Sequence, residues 1–246
     1  MLPSSTTNNP SEIPPEDRRS WESLPPEILA LILAKINIPV EEMVQCVPFV
    51  CKAWMETVAG PYCWSEVDLR RWSRRRNDSH TVDLVVEKLL RRNKFSVQRL
   101  SAYRLGELGF CFMTQCGSSL KVLEMPMAKI TDRVVLKHLK PLPNLTHLDL
   151  SHCIYITSKG LAAFGNKCKS LIHFKRNMHP VDADSPTNDS EPKAIANTMP
   201  HLQHLELCFG RFGDAGLLEI MIKCKSLVHL DFEGSVNVDF MAQIHV

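Results

Sequence analysis

The chain has 246 residues, 44% hydrophobic and 23% charged, with a formal net charge of +2. That balance is ordinary for a soluble globular chain and makes no case for nucleic acid, whose partners show a clustered basic excess. Nine scattered cysteines without paired Cys-x-x-Cys motifs indicate neither a disulfide framework nor a zinc site, and fit a reducing compartment.

Residues 1–20 are rich in Ser, Thr, Asn and Pro without hydrophobic periodicity, the composition of a disordered tail. They hold no apolar signal-peptide core, and no later stretch approaches the ~20 apolar residues that span a bilayer. The expected setting is the cytoplasm or nucleus, with no membrane, no cofactor and no metal. Over 21–63 the pattern turns helical in three pieces, 26–36, 39–47 and 48–59, each opened by a proline where a missing amide costs nothing. Gly60 before Pro61 reads as a left-handed cap closing the third. The first helix is apolar nearly all round, and a unit of roughly 40 residues hides such a helix poorly. It therefore calls for cover, from an external partner or from the rest of the chain.

After Trp64 the text begins to repeat. Val97-x-x-Leu100-x-Ala102, Leu120-x-x-Leu123-x-Met125, Leu145-x-x-Leu148-x-Leu150, Leu171-x-x-Phe174, Leu202-x-x-Leu205-x-Leu207 and Leu227-x-x-Leu230-x-Phe232 start 23, 25, 26, 31 and 25 residues apart. Those are leucine-rich-repeat periods, with an insertion in the fourth unit. Trp64-x-x-Val67-x-Leu69 reads as a degenerate leading repeat, placing repeat and basic junction at 64–95, regular repeats at 96–240 and a tail at 241–246. Each strand motif is followed by an apolar half with helical character, such as Gly160-Leu161 and Gly216-Leu217. A strand plus helix that cannot bury its own apolar face must stack on its neighbours. The expected fold is an α/β solenoid, a three-helix unit followed by a short horseshoe with parallel strands. No helical half or capping repeat is legible after Phe232, which suggests a truncated or alternatively spliced form.

Leu24-Pro25-Pro26-Glu27-Ile28-Leu29, Val50-Cys51-Lys52-Ala53-Trp54 and Cys63-Trp64, in this order and spacing, resemble the F-box motif. The repeats resemble the cysteine-containing type found in F-box proteins, and Gly60-Pro61-Tyr62-Cys63-Trp64, Arg176–Pro180 and Ala194–Pro200 resemble a plant group of F-box/leucine-rich-repeat proteins. The resemblance implies that Leu24, Pro25, Ile28, Leu29, Ile32, Val50, Cys51 and Trp54 form or support a surface docking on a Skp-family adaptor, which binds a cullin. It implies a non-catalytic substrate-receiving subunit of an SCF-type ubiquitin ligase.

The third and fifth positions of the repeat flank a buried fourth, so both face the concave side. They read His147, His173, His204, His229 and Asp149, Lys175, Glu206, Asp231, a histidine row beside a mostly acidic one, with Arg99, Val122, Ser101 and Glu124 ahead of them. A substrate surface responsive near neutral pH and a solvated remnant of repeat ancestry both fit. Residues 180–192 have the composition of an exposed loop. Arg70-Arg71-Trp72-Ser73-Arg74-Arg75-Arg76 with Arg91-Arg92 reads as a nuclear import signal, a phosphate contact or a solvated junction paired with local acids. Cys116, Cys168 and Cys224 fall at helix ends as core residues, and no cysteine has the adjacent histidine and acid that activate a nucleophile. Two other classes remain open: a repeat scaffold acting without the cullin, and an enzyme with a buried thiol nucleophile.

Overall fold

The computed structural model describes residues 21–36, 38–180, 186–235 and 238. The expected tails at 1–20 and 241–246 lie outside them. Helices α1 (Pro26–Lys35), α2 (Val40–Gln45) and α3 (Lys52–Ala59) make the first unit. Leu29, Ala30 and Leu33 of α1 are buried, and Leu29 and Leu33 join Met43, Val47 and Val58 in one core, while Ile28 and Leu31 stay in solvent. The third helix starts later than 48 because Val47–Phe49 forms a 3-10 turn and Cys51 is extended before it. Gly60 is not left-handed. It sits at φ −78°, ψ 179°, its N–H shared between the carbonyls of Glu56 and Thr57. Pro61 supplies the reason, since its ring drives the preceding residue into extended backbone.

Trp64 ties this unit to the remainder. Its indole N–H donates to the Val58 carbonyl at 2.8 Å, and its own carbonyl accepts from Asn93 Nδ2 at 2.7 Å. Beyond it run strands β1 (Glu66–Asp68), β2 (Arg99–Ser101), β3 (Val122–Glu124), β4 (His147–Asp149), β5 (His173–Lys175), β6 (His204–Glu206) and β7 (His229–Asp231). They form a single parallel sheet in sequence order, with Val67, Leu100, Leu123, Leu148, Phe174, Leu205 and Leu230 in register. The strand over Glu66–Asp68 is the one read as a degenerate leading repeat. Helices α4 (Arg70–Arg74), α5 (Ser79–Arg92), α6 (Glu107–Met113), α7 (Asp132–His138), α8 (Ser158–Lys167), α9 (Ser190–Thr198) and α10 (Asp214–Lys223) return the chain between strands. The core lies between the two layers, and Cys116, Cys168 and Cys224 are buried in it.

Alternate helices are joined by an aspartate from the one before. Asp83 of α5 accepts from the Gly106 N–H at 2.7 Å, at the start of α6. Asp132 of α7 accepts from the N–H groups of Thr157 and Gly160 at 2.9 and 3.0 Å, at the start of α8. Asp189, just ahead of α9, accepts from the Gly213 N–H at 2.9 Å, at the start of α10. The first amides of a helix have no partner within it, and N-caps Gly106 and Gly213 have no side chain to offer. The preceding repeat supplies the missing carboxylate. A Cβ at Gly109, Gly160 or Gly216 would collide with that same aspartate, which is why glycine stands three residues into each junction.

The unit built on β5, the fourth of the regular repeats, departs from the consensus at Arg176, in an apolar position yet only 2% exposed. All five of its donors are used. Nε and Nη2 reach both oxygens of Glu191 at 3.1 and 2.9 Å, and the remaining bonds go to the carbonyls of Leu150, Cys153 and Ile156. The stretch expected to be loop through residue 192 therefore ends early. Ser190 starts α9, Glu191 bonds to the core arginine, and Pro192 is buried in the first turn. Proline is favourable there, and burial of the Arg176 charge demands a fixed partner. Residues 181–185 of that stretch lie outside the described residues.

Candidate protein-binding surfaces

The three-helix unit carries several large apolar side chains that nothing in the described chain covers. Phe49 is 84% exposed, Leu31 62%, Val50 59%, Met55 47% and Ile28 45%. Of the residues named from the sequence, Pro25, Ile28 and Val50 are exposed, whereas Leu24, Ile32, Cys51 and Trp54 are half-buried. Leu29 is fully buried, so it supports the surface from beneath. Trp54 packs edge-on to Trp21 at 6.3 Å, and its Nε1 is shut from solvent without a hydrogen-bond partner. Leu31, Phe49 and Met55 were missed. Leu31 was detectable as the residue three on from Ile28 on one helical face, whereas Phe49 lies in the 3-10 turn, where helical periodicity gives no direction.

On the concave face the parallel register brings equivalent positions side by side. The rings of His147 and His173 stack at 4.1 Å and 7°, and those of His173 and His204 at 4.2 Å and 9°. His229 tilts away from His204, with 5.8 Å and 34° between the rings. Burial is the main reason that His147 and His173 hold a proton less readily than ordinary histidine, helped by Arg99 in the first case and by the neighbouring imidazoles in the second. Stacked rings point their lone pairs side by side, not at a common centre. Among the described residues no group of three or more His, Cys, Asp or Glu could hold a metal ion.

The row beside it is largely paired internally. Lys175 Nζ meets Glu206 Oε1 at 2.6 Å; Glu124 takes Arg99 at 3.2 Å, Arg70 at 3.6 Å and the Ser101 hydroxyl. Asp149 accepts from the Ser151 N–H at 2.8 Å, and burial raises its carboxyl above the usual range. Asp231, by contrast, receives the Glu233 N–H at 3.1 Å on the last strand.

The junction arginines divide. Arg70 is held by Asp68 at 2.6 Å, Arg91 by Glu87 at 2.8 Å, and Arg76 and Arg92 lie over the rings of Trp72 and Trp64 at 5.2 and 5.6 Å. Arg74 lies over Tyr103 and has no ion pair among the described residues. Three buried thiols are set against nucleophilic use: burial pushes Cys116 up to about 11, and Cys153 and Cys168 up to about 12. A thiol so raised supplies almost no thiolate at neutral pH.

The sequence matches the Leucine Rich repeat family model at residues 142–165 and 198–221. F-box protein FBW2 of Arabidopsis thaliana is 40% identical over 222 residues, spanning 89% of this chain and 69% of that protein. F-box protein SKIP19 of the same plant is 26% identical over 242 residues, spanning 98% and 78%. Putative F-box/LRR-repeat protein 23, also from Arabidopsis thaliana, is 26% identical over 243 residues, spanning 98% and 54%. With a relative at 40% identity over most of both chains, and the repeat model matched on the solenoid, the chain belongs to the plant F-box/leucine-rich-repeat proteins.

Proposed function

We propose that this chain is the substrate-receiving subunit of an SCF-type cullin-RING ubiquitin ligase, docking a Skp-family adaptor through its three helices and presenting a substrate protein on its repeats. The observation that carries the reading is the number of large apolar side chains exposed on the three-helix unit, with Phe49 at 84% exposure and Leu31 at 62%. Large apolar side chains clustered on one small unit are uncommon unless another protein covers them. Leu24, Pro25, Ile28, Ile32, Val50, Cys51 and Trp54 share the docking surface with Leu31 and Phe49, and Leu29 holds it from inside. The chain's role in the reaction is to bring substrate and ubiquitin donor together, so its contribution is proximity and orientation. The substrate meets the concave face, where His147, His173, His204 and His229 stand beside Asp149, Lys175, Glu206 and Asp231.

A pull-down tests the docking step. The full chain is expected to retain a plant Skp-family adaptor, and Ile28→Asp is expected to lose it while the melting temperature stays near that of the parent. Retention undiminished by Ile28→Asp overturns the assignment of this face.

A further inference from the structure

One concave cleft is not absorbed by the paired rows. It has a volume of about 580 Å³ at the turn end of the strands and is lined by Arg74, Tyr103, Arg104, Pro126, Met127, Ser151, His152, Lys175 and Asn177. Three basic side chains (Arg74, Arg104, Lys175) meet two acidic ones (Asp149, Glu206), a net of +1. Both acids are already engaged: Glu206 by Lys175 at 2.6 Å and by Asn177 Nδ2 at 3.0 Å, Asp149 by the Ser151 N–H at 2.8 Å. Neither arginine has an ionic partner among the described residues. Arg104 Nη1 donates only to the backbone carbonyls of Arg74 and Arg76, at 3.2 and 3.4 Å, leaving its other N–H groups unused. The turn conformation aims this residue, since Arg104 is left-handed at φ 56°, as is His152 at φ 58°. His152 stacks on His179 at 4.1 Å, and its Nδ1 is shut from solvent without a partner.

Unused guanidinium donors over a partly apolar floor are the chemistry of oxyanion recognition, in which arginine forms paired charge-assisted hydrogen bonds. The charge balance selects the anion. One negative charge brings the cleft to neutrality, whereas a dianionic phosphate leaves an excess beside Asp149 and Glu206. We infer that this cleft takes a single carboxylate of the substrate protein between Arg74 and Arg104, with the adjoining side chain against Tyr103, Pro126 and Met127. The inference rests on the substrate-receptor reading and names the chemical feature that such a substrate must present. Two sources supply it, a chain-terminal carboxylate and an internal Asp or Glu.

The test uses the full chain and fluorescein-labelled degenerate hexapeptide pools, read by anisotropy. One pool has a free C terminus, one an amidated C terminus with an internal glutamate, one neither, and one an amidated C terminus with phosphoserine. At least one carboxylate pool is expected to bind about tenfold more tightly than the pool without a carboxylate, and the tighter of the two names the source. Arg74→Gln is expected to remove that preference, while Arg71→Gln, an exposed change on the same helix outside the cleft, retains it. Carboxylate pools no better than the neutral pool, a phosphoserine pool that binds more tightly than either, or Arg71→Gln and Arg74→Gln behaving alike overturns the inference. An adaptor pull-down on the same preparations keeps the two readings apart. Adaptor capture without carboxylate preference overturns this one alone, and carboxylate preference without adaptor capture overturns the ligase reading alone.

Discussion

The two regions of the molecule treat their apolar side chains in opposite ways. In the three-helix unit Ile28, Leu31, Phe49, Val50 and Met55 stand in solvent, while along β1 to β6 the central residue of every strand is buried. Repetition makes the difference. A repeat's apolar face is covered by the next repeat, but the helical unit occurs once and has only Trp64 and its surroundings to lean on. The convex helices α5, α6 and α7 leave Leu84, Leu108 and Leu136 outside, one to a helix, as folded proteins commonly do, whereas α10, the last helix described, leaves Leu218, Met221 and Ile222 outside together. Single residues of that kind carry little information, whereas several on one small unit, as on the three helices and on α10, mark faces without a covering neighbour.

The comparison breaks most sharply at Arg176. Arg176→Ala should cost about 3 kcal/mol, because Glu191 and three carbonyls lose their donor together. Urea unfolding at unchanged m-value measures it, and Arg176→Leu with Glu191→Leu should recover most of the loss by restoring an apolar repeat. In the helical unit, Phe49→Asp should weaken adaptor capture at least about thirtyfold, roughly 2 kcal/mol, with folding stability unchanged within about 0.5 kcal/mol. Leu29→Asp should instead unfold the unit, separating the residue that supports the surface from those that form it. Gly160→Ala, which drives a methyl into Asp132 and Ile156, should cost roughly 1 to 2 kcal/mol by thermal or urea melting.

The smallest effect belongs to the imidazole stack. In the folded chain His147 and His173 favour the neutral form, so below the ordinary histidine value of about 6.5 the unfolded chain binds protons that the folded chain resists. Their contribution to stability is complete above that pH and declines as pH falls through it. Titration of the ring carbons by NMR should show His147 and His173 protonating at lower pH than an unperturbed histidine, and midpoints at or above that value would count against the burial of these rings in the stack.

The strands were legible because a six-residue apolar motif recurred with a buried fourth position, and pairing then fixed which residues stand side by side. The helical unit was legible through prolines and spacing, but the side of α1 left bare was not, since a helix apolar nearly all round gives no direction. Arg176 was visible only as a misfit: its partner sits beyond an insertion, fifteen residues on, with no periodicity connecting them. The cleft at Arg74 and Arg104 was equally hidden, because their approach depends on a turn at Arg104 and on the short α4. The aspartates before α6, α8 and α10 had a readable trace in the glycines at Gly109, Gly160 and Gly216, each standing 26 to 28 residues after its aspartate.

Those aspartates have a consequence for how the chain can change length. The acid-and-glycine junction joins α5 to α6, α7 to α8 and α9 to α10, whereas Thr131 reaches Glu107 between α6 and α7, and Gly165 lies against Thr198 between α8 and α9. Counted by its strands the solenoid has a period of one repeat, but counted by its helix junctions the period is two. Removing one repeat would set an acid against a helix without the receiving glycine. Removing two keeps the phase, so shortened forms of this scaffold should be sought in even steps.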